Sequence, residues 1–113
     1  MTCIFCQIVS GEVQSEILHK DDSVTAFRDI NPLAPVHILV VPNKHILSPA
    51  EVGLEDVGIV GHMVYVAHRL AQTEGIDEQG YRLVINTGPD AGQLVQHMHM
   101  HLLGGRKLGW PPG

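Results

Sequence analysis

Basic residues are scarce in this chain. Lys and Arg number 7 against 12 Asp and Glu, for a formal net charge of −5. No basic block interrupts the acids, so the positive surface that a duplex nucleic acid requires is missing. Small phosphate ligands stay open, because backbone N–H groups hold phosphate without net charge. Long apolar runs are missing too, and none approaches a membrane span. Residues 1–11 carry neither a basic start nor an apolar run of the signal-peptide kind, so the expected compartment is a reducing cytoplasm. Cysteine is nearly absent, with Cys3 and Cys6 the only two. Such a Cys-x-x-Cys pair reads as metal binding or redox work rather than a structural disulfide. A thioredoxin-type pair opens a helix after a strand. No strand precedes Cys3, so redox ranks low. Internal repeats and low-complexity segments are also lacking. At 113 residues and 44% apolar, the expectation is one domain, 1–113, burying about two thirds of its unfolded surface.

Histidine is plentiful, at 8 residues. Three of them alternate in Gln96-His97-Met98-His99-Met100-His101-Leu102-Leu103-Gly104-Gly105-Arg106. In a strand the side-chain period is two, so His97, His99 and His101 share one face. Met98, Met100 and Leu102 share the other, where a core would take them. Imidazole is the commonest metal ligand, and two histidines two apart can share an ion. It is also a nucleophile, acid or base near neutral pH. A merely solvated strand face is the third reading of the row.

Residues 4–10 read as a short helix ended by Gly11. Ile17–His19 and Ser23–Arg28 read as strands about a turn. Asp29–Pro35 is a proline-stiffened loop. Val36–Val41 reads as a strand closed by Pro42, with His37, Leu39 and Val41 on one face. His37 alone would pass for a satisfied histidine at the edge of the core. Ser48-Pro49-Ala50-Glu51 carries a capping-box signature, so a long helix is expected within 49–74, stopping at Gly75. Val57, Val60, Val64, Ala67 and Ala71 form one apolar stripe, and Ile59, Met63, Val66 and Leu70 an adjacent one. The combined arc is wider than a surface helix needs. One stripe packs on a sheet, and the other meets a second subunit or sinks deeper into its own domain. His62 and His68 read as ordinary helix-surface residues. Tyr81–Thr87 is a further strand, and Gly88–Gln93 a glycine turn able to wrap backbone donors around a phosphate. A lone Trp110 on a terminal segment is more often packed than free.

His97-Met98-His99-Met100-His101-Leu102-Leu103 resembles the His-φ-His-φ-His-φ-φ signature of the histidine triad nucleotide-binding proteins, φ being apolar. Phe27–Pro32, Ala34–His37, Val41–Ile46, the Asn86–Gln93 turn and Gly109–Gly113 are similar to the Hint branch of that family. The resemblance implies an α+β fold, a five-stranded antiparallel sheet with one long and one short helix, joined across a homodimer into ten strands. It implies a purine nucleoside phosphoramidase or related nucleotidyl hydrolase, cleaving AMP or GMP from an amine without a catalytic metal. His99 would attack the α-phosphorus, with His101 beside the phosphate and His37 in the histidine network. Asp29 and Ile30 would meet the ribose and base, with Phe27 and Ile8 as apolar walls. Asn86, Gly92 and the backbone at Gln93 would hold phosphate oxygens. Trp110 would line a nucleotide pocket, with the family favouring that of the second subunit.

Relatives often carry Ser or Thr where this chain has Leu94, and leucine donates no hydrogen bond. The implied activity is therefore weaker. Similarity to the galactose-phosphate uridylyltransferases, which carry a structural zinc, implies Cys3, Cys6, His45 and His97 as a closed tetrahedral site. Two competing classes are a nucleotide-binding scaffold with little catalysis and a metal carrier using His97, His99 and His101 together. Asp29, Asn86 and the glycine turn have no use in a carrier.

Overall fold

The computed structural model describes residues 3–113. The elements are α1 (Ile4–Ser10), β1 (Ile17–Lys20), β2 (Val24–Arg28), β3 (Val36–Pro42), α2 (Val57–Thr73), β4 (Tyr81–Ile85) and β5 (Met100–Gly104). All strand pairings are antiparallel, in the order β1-β2-β3-β5-β4. The expected α+β architecture is thus present, with one long and one short helix.

β3 is buried along its whole length, and both faces are covered. Val36, Ile38 and Val40 lie in the larger core beneath α2, with Met63, Val66, Met98, Met100 and Leu102. Leu39 and Val41 lie in a smaller core with Phe5, Ile8 and Phe27. A near-continuous apolar run is what a strand covered on both faces requires. The smaller core holds α1 against the sheet on the face opposite α2.

The long helix begins later than its capping box suggests. Ser48 does cap, accepting from Ala50 N–H at 3.2 Å. Pro49–Glu51 nevertheless forms only a 3-10 turn. The extended backbone of Val52 and Gly53 ends it, and a second short turn at Leu54–Asp56 leads into α2. At the other end Gly75 adopts φ +75°, a left-handed conformation that glycine accepts without a Cβ clash. The chain then returns Ile76 to the core.

The two apolar stripes of α2 do not divide as expected. Met63, Val66, Ala67, Leu70 and Ala71 are buried together, drawing on both stripes. Val57 and Val64 are exposed. Neither His62 nor His68 is an idle surface residue: His62 bonds Asp21 and His68 bonds the Tyr81 hydroxyl.

The histidine strand is also shorter than its sequence alternation. Ladder pairing begins at Met100, because the chain bends through Val95–His97. The alternation of faces survives the bend. Met98 N–H donates to the Ile46 carbonyl at 2.7 Å, and Met98, Met100 and Leu102 are all buried under α2. β4 likewise stops at Ile85, short of Thr87. Among the described residues no helix is long and apolar enough to cross a membrane.

Met63 sits with no exposed surface at the centre of the helix–sheet contact. Met63→Ala is expected to cost about 2–5 kcal/mol through lost burial and a residual cavity. Leu54→Ala, at a side chain 92% exposed, should stay within about 0.5 kcal/mol. Urea unfolding of the two variants checks the contrast.

Candidate active site and metal centre

His99 stands just ahead of β5 on the α1 side of the sheet. Its Nδ1 lies 2.8 Å from the His97 carbonyl oxygen. A carbonyl oxygen only accepts, so Nδ1 carries the proton and Nε2 keeps its lone pair. Phe5 packs edge-on against the ring at 5.0 Å between centroids. One imidazole is therefore fixed in both tautomer and plane.

A second chain of bonds fixes its neighbours. Leu33 N–H donates to His37 Nδ1 at 3.1 Å, so His37 bears its proton on Nε2. That Nε2 lies 2.8 Å from His101 Nδ1 and 3.5 Å from Asp29 Oδ2. His37 thus donates to His101, whose own proton is left on Nε2. The His99 and His101 rings lie 5.1 Å apart. A lone pair and an N–H donor stand side by side, one on each ring.

These rings face a cleft of about 680 Å³. Of the residues expected around a nucleotide, Ile8, Phe27, Asp29, Ile30, Asn86, Gly92, His37, His99 and His101 line it. Asn31 N–H donates to Asp29 Oδ1 at 2.8 Å, which orients the carboxylate. Ile30 is 88% exposed, so its contact with the cleft is at the rim. Two expected residues lie elsewhere. The Gln93 side chain is buried, accepting from Gly88 N–H and donating to the Leu47 and Val95 carbonyls. Its own N–H is spent on the Gly88 carbonyl, and that of Gly92 on Pro89. The turn thus satisfies these donors internally rather than offering them. Trp110 is exposed and outside the cleft of its own chain. Phe5 and Leu39 were missed as wall residues. The signal for Leu39 was its shared strand face with His37. Leu94 lies at the rim, 90% exposed.

The first histidine of the row serves a different cluster. His97 Nε2–H donates to the Pro42 carbonyl at 2.9 Å, leaving its Nδ1 lone pair free. That Nδ1 lies 3.3 Å from Cys3 Sγ and 3.5 Å from Cys6 Sγ, and His45 Nδ1 lies 3.3 Å from Cys6 Sγ. A tetrahedral zinc with ordinary Zn–S and Zn–N bonds sets S···N edges of about 3.5 Å. The four side chains therefore fit the ion, and the Pro42 bond is the orienting contact that metal-binding histidines usually have. Burial pushes the Cys6 thiol pKa up, with the neighbouring Cys3 adding to it. These partners draw the three rings of the row to different contacts. His97 turns to the cysteines, His99 to a carbonyl and His101 to His37.

A family model for the HIT domain matches residues 10–108. The chain is 52% identical to the purine nucleoside phosphoramidase of Escherichia coli, over 94% of this chain and 89% of that one. It is 46% identical to a 14 kDa zinc-binding protein of Zea mays, over 97% and 87%. A crystal structure of a HIT family hydrolase from Legionella pneumophila superposes with a TM-score of 0.96 at 46% identity, covering 99% of this chain and all of that one. The chain belongs to the HIT domain family.

Within this HIT domain His37 and His101 are desolvated, which disfavours a proton on either ring. Burial, with the nearby His99 and His37, pushes the pKa of His101 from its ordinary 6.5 down to about 4, against the pull of Asp29. Burial lowers His37 as well, again opposed by Asp29. Between pH 6.5 and about 4 the unfolded chain binds a proton at position 101 that the folded chain refuses. Stability is therefore full above 6.5 and lost as pH falls through that window. His101→Asn keeps an acceptor for His37 but cannot titrate. Its melting temperature should fall less between pH 7 and pH 4.5 than that of the parent. Equal falls in the two proteins would refute the assignment.

Proposed function

We propose that this chain hydrolyses purine nucleoside phosphoramidates, releasing AMP or GMP from an amine through a nucleotidyl group on His99. The fixed tautomer of His99 carries the reading, because it leaves Nε2 unprotonated inside the cleft. The similarity to a named phosphoramidase over nearly the whole chain supports it. The P–N bond, as against other bonds to the α-phosphorus, is inferred from that relative.

His99 Nε2 attacks the α-phosphorus as the P–N bond breaks. At neutral pH His101 has no spare proton, so the bridging nitrogen takes its proton from solvent as the P–N bond breaks and the amine departs neutral. The phosphorylated ring gains positive charge, which strengthens its Nδ1–H bond to the His97 carbonyl. That gain exists only after attack, so it favours the transition state over the bound substrate. His101 Nε2–H donates to a phosphate oxygen and holds the reacting group against His99. Water then attacks phosphorus, the P–Nε2 bond breaks, and the proton lost by water passes to the freed amine. Two displacements replace one difficult step.

Asp29 takes the ribose hydroxyls, with Ile8, Phe27 and Ile30 around the base and Asn86 and Gly92 near the phosphate. At the rim, Leu94 has nothing to donate to the leaving group, which keeps the rate low. Cys3, Cys6, His45 and His97 would hold a structural zinc, which supplies a rigid closed link rather than chemistry. Two copies pair into a ten-stranded sheet, a reading supported by the free edge of β4 and the exposed Val57 and Val64. Trp110 then reaches the pocket of the second copy.

His99→Ala should lower the hydrolysis of an AMP–amine conjugate by about 10⁴-fold or more with the fold intact. Rapid quenching of the parent without acid should yield a nucleotidylated peptide containing His99. Full turnover by the variant would end the proposal. Metal analysis of protein prepared without chelators should give about one zinc per chain. Cys6→Ser should lose it and both raise KM and lower kcat, since α1 supplies Ile8 to the cleft wall and Phe5 against the His99 ring. A metal-free parent would refute the zinc assignment.

A further inference from the structure

Asp21 gathers two histidines on the other side of the molecule. His19 comes from β1, Asp21 from the β1–β2 turn and His62 from α2. His19 Nε2 lies 2.6 Å from Asp21 Oδ2, and His62 Nε2 lies 2.7 Å from the same oxygen. The other oxygen, Oδ1, is taken by the N–H groups of Ser23 and Val24 at 2.8 and 2.9 Å. Those two backbone bonds fix the carboxylate so that its remaining oxygen meets both rings. The β1–β2 register shifts between Ile17 and His19, and a bulge of this kind re-aims a side chain. Tyr65 stacks beside the His62 ring. Nothing in the nucleotide cleft requires any of these contacts.

The geometry points to a second metal site, built from His19, Asp21 and His62, for a divalent ion of the zinc, cobalt, nickel or copper type. Two imidazoles and a carboxylate are the donor set of borderline transition metals, not of calcium or magnesium. All three candidate donor atoms lie within 4.8 Å of one another. In the metal-free protein both rings must place a proton on Nε2 and crowd two donors onto one oxygen. An ion replaces both protons with one centre of charge. The N···O separations then widen to about 3 Å, the edge set by bonds of about 2.0–2.1 Å. Side-chain exposures of 35%, 31% and 38% let the rings turn by that amount and leave coordination positions to water. Burial alone would raise the Asp21 carboxyl, but its bonds to His19 and His62 and to the backbone hold it well below the usual range. The donor is therefore ionised wherever the histidines are neutral. A bound ion clips the β1–β2 hairpin to α2.

Tag-free protein loaded with one equivalent of zinc is dialysed against further zinc at pH 7.5. A second equivalent should bind, and the ring resonances of His19 and His62 should shift in ¹⁵N-histidine spectra. His62→Gln and His19→Gln should each weaken this second binding about tenfold or more, with hydrolysis and the first equivalent unchanged. Cys6→Ser should lose the first equivalent and keep the second, which separates this site from the cysteine centre. Wild-type protein that shows no ring shifts at His19 and His62, or a His62→Gln variant that binds as tightly as the parent, would overturn the proposal.

Discussion

Burial of Met98, Met100 and Leu102 beneath α2 is the constraint on which the rest of the structure depends. Each is almost wholly withdrawn from solvent. Burying three such side chains on one face contributes several kcal/mol, far more than any single polar contact in the site. With that face committed to the core, strand alternation leaves His97, His99 and His101 no choice of direction. A slip of one residue would turn three imidazoles into the apolar core beneath α2 and withdraw two methionines and a leucine from it. The face that carries the histidines is thus a by-product of the packing face.

The three histidines share a face but not a task, and backbone carbonyls set the division. Pro42 takes the His97 Nε2 proton and turns Nδ1 to the cysteines. His97 in turn offers its own carbonyl to His99 Nδ1. One residue therefore joins the cysteine cluster by its ring and the reactive imidazole by its main chain. Phe5, one residue before Cys6 on α1, packs against both rings at 5.8 and 5.0 Å. A change in how α1 is anchored reaches His99 through two contacts, without any movement of the sheet.

Much of this was legible in the sequence because period-two alternation and apolar runs leave strong marks. β3, the histidine face and the Cys-x-x-Cys pair were of that kind. The histidine assignments and the four thiolate and imidazole partners came from motif resemblance, and the side chains do converge. What was not legible depends on the path of the chain between elements. Ser48 and Pro49 are good starting residues, but extended backbone at Val52 and Gly53 decides where α2 begins. Gln93 looked like a ligand contact and is instead the buried brace of its own turn. His62 read as a solvated helix residue because its partner, Asp21, lies 41 positions away. Tautomers were beyond any sequence reading, since each rests on which carbonyl or N–H the folded chain turns toward the ring, from two residues away for His99 to 55 for His97.

The cleft is lined almost without cations. Arg28 is the one Lys or Arg along its lining among the described residues, and its guanidinium is bonded to Glu74 and Glu16. The imidazoles of His37, His99 and His101 line it instead. In an acidic protein this has a kinetic logic. A free lysine or arginine would hold substrate and product phosphate alike, which deepens the ground state and slows release. In the proposed reaction such rings would bind the ground state weakly and respond only when charge develops on His99. Under the proposed reaction, ground-state affinity would have to come from the rest of the lining, where Phe27, Ile8 and Asp29 lie.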